Sequence, residues 1–198
     1  VPHRVRRIEE AALAKAADAL AETRLHTRLA YEGGLLRVHR DIVRCPDGHV
    51  AYREYIRHPG AVVVVAMPDD DHVILERQFR YPLGRAFIEL PAGKLEPGEG
   101  LLECAQRELL EETGYRARDW THLGGFHNAI GYSDERIDVF VARSLELDQA
   151  RRDPGEVLEV FDVRWRELDQ WVRDGRITDG KTIIGISWMQ RLLGAGSG

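Results

Sequence analysis

Three glutamates, Glu108, Glu111 and Glu112, stand within five residues of one another in the segment LPAGKLEPGEGLLECAQRELLEETGY, Leu90 to Tyr115, just after a loop carrying glycines and a proline. Carboxylates crowded on a partly buried surface repel one another and resist ionisation unless a cation neutralises them. Oxygen donors suit hard cations such as Mg2+ or Mn2+, which take one or two protein carboxylates and fill their octahedron with water and phosphate oxygens of a substrate. Such a cluster could therefore support attack of water on phosphorus. That reaction also needs charge neutralisation on the phosphate, an oriented water and a base for its proton.

Helix phase decides whether these acids form a solvated face or a site. Gly98 and Gly100 flank Glu99, Leu101–Thr113 contains neither Gly nor Pro, and Gly114 sits where a helix end favours a left-handed residue. Loop, helix and stop are expected. Counting about 100° per residue from Leu101, Ala105, Leu109 and Leu102 define a core-facing stripe from 0 to about 100°. Glu108 then falls at about −20° and Glu112 at about +20°, on the edge of the stripe, with Glu111 at about −80° beside them. Glu103, Gln106, Arg107 and Leu110 point away. A solvated face would put its acids opposite the core.

Other elements must position this segment. Residues 8–23 are Ala-rich at helical spacing and read as an amphipathic helix. Gly34–Val43 and His49–Arg57 read as a hairpin about the PDG turn, and Ala61–Met67 and His72–Phe79 as a second antiparallel pair about PDDD. Further strands are expected at FIEL, Thr121–His127, Ile137–Ala142 and Val157–Val163, then a helix over RELDQWVRDG stopped by Gly175 and a last helix over KTIIGISWMQRLL. The class is α+β, with the strands largely antiparallel.

Composition excludes several functions. The 198 residues, 43% of them apolar, can build a real core. A net charge of −5 with both signs mixed carries no nucleic-acid footprint. The longest apolar run, about Gly60–Met67, is far short of the roughly 20 residues that span a bilayer, and VPHRVRRIEE lacks a signal-peptide apolar region, so a cytoplasmic protein without membrane partners is expected. Cys45 and Cys104 make neither a disulfide framework nor a metal cluster.

The spacing Gly93, five residues, Glu99, seven residues, RELLEETGY resembles the Nudix box: Gly, five any, Glu, seven any, Arg-Glu-apolar-any-Glu-Glu-any-Gly-apolar. All seven fixed residues match, namely Gly93, Glu99, Arg107, Glu108, Glu111, Glu112 and Gly114; Tyr115 stands where an aliphatic residue is commoner. A motif this long is far more specific than a short glycine pattern. The resemblance implies a mixed sheet sandwiched between helices and divalent-metal hydrolysis of a nucleoside diphosphate linked to another moiety. REYIRHPGAVVVVA, ERQFRYPLGRAFIELPAGKLEPGE and GRITDGKTIIGISW extend the likeness, from about Tyr31 to Trp188, to the ADP-ribose pyrophosphatase branch. That branch exchanges N-terminal strands between subunits. The resemblance therefore implies a homodimer with residues 1–58 as a dimerising extension, 59–193 as the hydrolase domain and 194–198 as a flexible tail, and a site partly at the subunit interface.

Roles follow residue by residue. Glu108 and Glu112, on one helix face at i and i+4, are candidate metal ligands, with Glu111 as a further or water-bridged one. The resemblance adds the backbone carbonyl of Ala92, a loop-holding Glu99 that meets metal through water, and Arg107 as the residue that orients the acids. It also places the general base in a later acidic loop, here RRDPGEVLEV, with Glu156 as the candidate and Asp153 as rival. For the diphosphate the candidates are Arg53, Arg57, Arg77, Arg80 and Arg85, with Arg80 first because it follows a strand and precedes the turn at YP. A salt-bridged surface arginine is the ordinary alternative for each. Glu89 of FIEL joins the substrate set. Tyr81, and Tyr31 or Tyr52, could stack on adenine, although core packing is the commoner role. Ser133 and Glu135, in the loop Asn128–Glu135, would meet the terminal ribose. Relatives carry a proline just after the histidine corresponding to His127, where this chain has Asn128, and His127 itself reads as hydrogen-bonded structure. ADP-ribose, giving AMP and ribose 5-phosphate, is the expected substrate, with Mg2+ as cofactor and Mn2+ or another divalent ion as substitute. GDP-mannose, NADH and a flavin dinucleotide are the alternatives. A binding module without catalysis is opposed by the intact Glu108, Glu111 and Glu112.

Overall fold

The computed structural model describes residues 19–150, 155 and 157–195. Most of the helix expected over residues 8–23 and most of the tail at 194–198 lie outside the described residues, as do Asp153 and Glu156. The described chain forms two compact units: one through His58 together with Gly131–Asp134, the other comprising Pro59–Ile130 and the described residues from Glu135 onward.

The first unit is an antiparallel sheet of β1 (Thr23–Glu32), β2 (Arg37–Arg44) and β3 (Val50–Ile56) in that order. Strands β2 and β3 are the hairpin expected about PDG. Strand β1 was not expected: in TRLHTRLAYE apolar and charged residues do not alternate cleanly, and every residue is exposed. It begins at Thr23, where the expected helix was to end. Ile56 also accepts a bridge from the loop, its N–H donating to the Tyr132 carbonyl at 2.8 Å.

In the second unit β4 (Ala61–Ala66) is central to a sheet of order β7-β4-β9-β8, with β7 (Ala92–Lys94), β8 (Tyr115–His127) and β9 (Arg136–Leu147). It pairs with β9 in parallel and with β7 antiparallel. Its apolar run makes sense because both faces are covered. Val63, Val65 and Met67 pack with Leu168, Ile177, Ile186 and Met189, from or beside α2 (Trp165–Arg173) and α3 (Gly180–Ala195). Val62, Val64 and Ala66 pack with Cys104, Ala105 and Leu109 on the opposite side. The sheet is thus sandwiched between helical layers, as expected.

The expected pairing of the strands about PDDD is corrected. Strand β5 (His72–Arg80) lies in another sheet, between β10 (Leu158–Arg164) and β6 (Arg85–Glu89). Both edges of β4 are occupied by β7 and β9, so β5 must find other partners. Asp69 Oδ1 accepts the N–H groups of Asp71 and His72, each at 2.8 Å, and turns the chain between the strands.

The acidic segment folds as α1 (Leu101–Glu108), continued by a π-helical turn over Leu109–Thr113 and ended by Gly114 at φ 77°. The buried arc runs through Cys104, Ala105 and Leu109 and is rotated towards Cys104 relative to the expected stripe. Leu102, expected to face the core, is consequently 41% exposed. Among the described residues no helix is long and apolar enough to cross a membrane.

Candidate active site

Strand β7 brings Ala92–Lys94 to the edge of β4, and the chain then loops through Pro97 and Gly98, at φ 84°, before α1. Glu99 closes that loop: its N–H donates to the Glu96 carbonyl at 3.1 Å and its Oε2 accepts the Glu96 N–H at 2.9 Å. Arg107, the penultimate residue of α1, grips it with a fork, Nε to Oε1 at 2.7 Å and Nη2 to Oε2 at 2.9 Å. Hydrogen bonds from Arg107 hold the Glu99 carboxyl at about 2, well below the usual carboxylate range. The same guanidinium donates to the Lys94 carbonyl at 3.0 Å, which ties helix to strand. The expectation that Arg107 points away is corrected, since its side chain is 24% exposed.

The remaining acids gather round this arginine and β7. Arg107 Nη1 donates to Glu108 Oε1 at 2.9 Å and to Glu111 Oε2 at 3.0 Å. Glu112 is buried, and one of its oxygens, Oε2, accepts the Ala92 N–H at 3.0 Å. At Gly93 a Cβ would lie 1.7 Å from Glu108 Oε1, so a side chain there would displace that carboxylate. Only a residue without a side chain lets that carboxylate reach the strand. Cys104 lies beneath, its Sγ 3.4 Å from the Lys94 carbonyl, and burial pushes the thiol up to about 12.

Among the described residues no three His, Cys, Asp or Glu side chains converge as a ready-made metal cluster. Glu99, Glu108 and Glu111 converge on Arg107 instead, and Glu112 is turned to an amide. The donor chemistry nonetheless fits a hard divalent cation: three carboxylates meet one guanidinium, a fourth, Glu112, is held on the neighbouring strand, and that carbonyl-bearing strand has no Cβ at Gly93. Glu108, Glu112 and Glu111, with the Ala92 carbonyl, are the residues that would hold it.

Arg80 is forked on Glu89, Nε to Oε1 and Nη2 to Oε2 both at 2.7 Å, and Glu89 is buried. Its guanidinium lines a cleft of about 240 Å3 with Leu83, Phe87, Asp179 and Lys181. Lys181 also pairs with Glu89, a contact that the sequence reading missed; a lysine in a first helical turn gives no signal of its partner. Arg77 pairs with Glu159 at 3.0 Å, and Arg85 reaches Thr178 at 3.2 Å and covers the Phe87 ring. In the first unit Arg53 is engaged by Glu22, and Arg57 by Asp134 at 3.0 Å. Tyr31, Tyr52 and Tyr81 are 58%, 60% and 89% exposed, which corrects the expectation of core packing. Tyr81 is held out on a 3-10 turn, Tyr81–Leu83, and Tyr52 lies under Arg40. Ser133 bridges to Ile56, and Glu135 accepts from Asn128 at 3.5 Å; His127 lies at the end of β8.

Residues 56–184 match the family model described as NUDIX domain. The chain is 36% identical over 174 residues to an ADP-ribose pyrophosphatase of Bacillus subtilis, covering 87% of this chain and 94% of the relative. It is 35% identical over 171 residues to a methanol dehydrogenase activator of Bacillus methanolicus, covering 85% and 92%. A solved structure described as an ADP compounds hydrolase superposes with a TM-score of 0.81 at 24% identity, covering 88% of this chain and 95% of that one.

Proposed function

This chain belongs to the Nudix family, and we propose that within it the enzyme hydrolyses the diphosphate bond of ADP-ribose to AMP and ribose 5-phosphate with Mg2+. One observation carries the reading: the full set of box acids is gathered on Arg107 and β7, in a chain that is 36% identical over nearly its whole length to a protein named an ADP-ribose pyrophosphatase.

Glu108, Glu112, Glu111 and the Ala92 carbonyl would hold the divalent ion. When bound, that ion neutralises charge on the diphosphate and lowers the barrier to attack by water at phosphorus. Arg107 fixes the place of three carboxylates at once, and Glu99 keeps the loop closed around it. Such fixed donors need no reorganisation as charge develops. Arg80 is the proposed diphosphate clamp: its side chain is 40% exposed, and Glu89 holds the guanidinium in one plane. Glu156 takes the proton from the attacking water, with Asp153 as the alternative, and Ser133 and Glu135 meet the terminal ribose. Arg53, Arg57, Tyr31 and Tyr52 serve the nucleotide from the N-terminal sheet of a homodimer. Exposed Leu25, Leu29 and Tyr31 on one edge strand support such an assembly, since apolar side chains beside unpaired backbone groups favour association.

The test is turnover with Mg2+ on a panel of ADP-ribose, GDP-mannose, NADH and FAD, with products separated by anion exchange. ADP-ribose giving AMP is expected. GDP-mannose outpacing it, or ADP as the nucleotide product, overturns the reading.

A further inference from the structure

The segment Glu89–Ala92 joins β6 to β7 and leads directly into the acidic site. It is held at four consecutive residues. The Glu89 carboxylate takes the Arg80 fork and Lys181 Nζ. The Leu90 N–H donates to Thr182 Oγ1 at 2.9 Å. The Pro91 carbonyl accepts the Val64 N–H at 2.8 Å, and the Ala92 N–H donates to Glu112 Oε2 at 3.0 Å.

Two of these four holds come from the first turn of α3, which belongs to neither the box nor its loop. Asp179 caps that helix: its Oδ2 accepts the Thr182 N–H at 3.0 Å and the Thr182 hydroxyl at 2.7 Å, and it pairs with Lys181 at 3.0 Å. The Thr182 hydroxyl thus donates to Asp179 while accepting from Leu90, so both its orientation and its lone pair are used. Thr182 is fully buried. One turn on, a Cβ at Gly185 would lie 2.7 Å from Leu90 Cδ1, so only a residue without a side chain lets the helix backbone pass this close to Leu90 as it stands. Leu90 is held at its amide and flanked at its side chain by the same helix.

We infer that Thr182 and Lys181 are positioning residues for the hydrolytic site: they fix Leu90 and Glu89, and through them the place of Ala92, whose amide orients the Glu112 carboxylate and whose carbonyl is a proposed ligand. The inference deepens the proposed function and rests on it for the identity of the ligands. A positioning role of this kind has a change in cation affinity as its signature. Partners of this outer kind change metal affinity by about 10–100-fold when removed.

The probe is Mn2+ alone, titrated into the full chain and read as free Mn2+ by electron paramagnetic resonance. Thr182→Val removes the hydroxyl at nearly constant volume, and Kd is expected to rise on the order of 10-fold. Thr182→Ser restores the acceptor and is expected to return Kd to within about twofold of the parent, which a packing defect at the lost methyl would not do. T182V with the parent's circular dichroism and an unchanged Kd overturns the inference. Should T182V not fold, Lys181→Met carries the same titration: a weaker Kd supports the inference and an unchanged one overturns it. The two readings fail separately. A parent chain that binds Mn2+ but hydrolyses no nucleoside diphosphate removes the proposed function alone, whereas unchanged affinity in the variants beside active parent enzyme removes the positioning role alone.

Discussion

Glu99 carries the clearest electrostatic prediction at the scale of a residue. Its carboxyl is lowered from 4.5 to about 2 chiefly by the Arg107 hydrogen bonds. A group whose folded pKa lies below its unfolded one stabilises the fold above the unfolded value and loses that contribution as pH falls through the folded value. Glu99 therefore supports the fold fully above about pH 4.5 and progressively less towards pH 2. Urea unfolding of the parent and of Glu99→Gln should differ at pH 7, with the gap narrowing as pH falls from about 4.5 towards 2. A gap that stays constant over that range would contradict the assignment. At this scale the sequence was informative because the box residues meet one another locally: Glu99, Arg107, Glu108 and Glu111 lie within thirteen residues and fold onto a single guanidinium. The Lys181–Glu89 contact was not legible, since its partners are 92 residues apart and only the tertiary fold joins them.

At the scale of the element, the π-helical turn matters most. It ends α1 with Glu112 and Thr113 buried, and the left-handed Gly114 turns the chain straight into β8. A Cβ at Gly114 would lie 3.0 Å from the Ala150 nitrogen, and its φ of 77° strains any other residue. Gly114→Ala should lower stability by about 1–2 kcal/mol in chemical denaturation, from the left-handed conformation alone. An unchanged midpoint would contradict that account. Gly114, Gly175 and the two C-terminal helices were legible because caps and helical periods are local signals. The partners of β4 and β5 were not: adjacency in sequence suggested a hairpin, whereas the edges of β4 are taken by β7 and, in parallel, by β9, more than seventy residues away. Strand β1 was hidden for another reason, as an exposed strand has no buried face to impose alternation. The misplaced Leu102 reflects a stripe read from apolar side chains alone, when the helix buries Cys104 and leans Arg107 inward.

For the whole molecule, the proposed homodimer predicts that light scattering at micromolar concentration gives twice the mass of one 22.5 kDa chain. A monomer would leave the exposed apolar residues of β1 unexplained and remove the interfacial roles proposed for Arg53 and Arg57. The central claim is narrower: hydrolysis of ADP-ribose depends on the carboxylates held between Arg107 and β7. It is tested most directly by the ADP-ribose arm of the turnover panel, run with the parent and with Glu112→Gln in Mg2+. The parent should release AMP and ribose 5-phosphate, and E112Q should retain nucleotide binding while losing kcat by at least about 100-fold, roughly 2.7 kcal/mol of barrier. E112Q turning over ADP-ribose at the parent rate would contradict the claim.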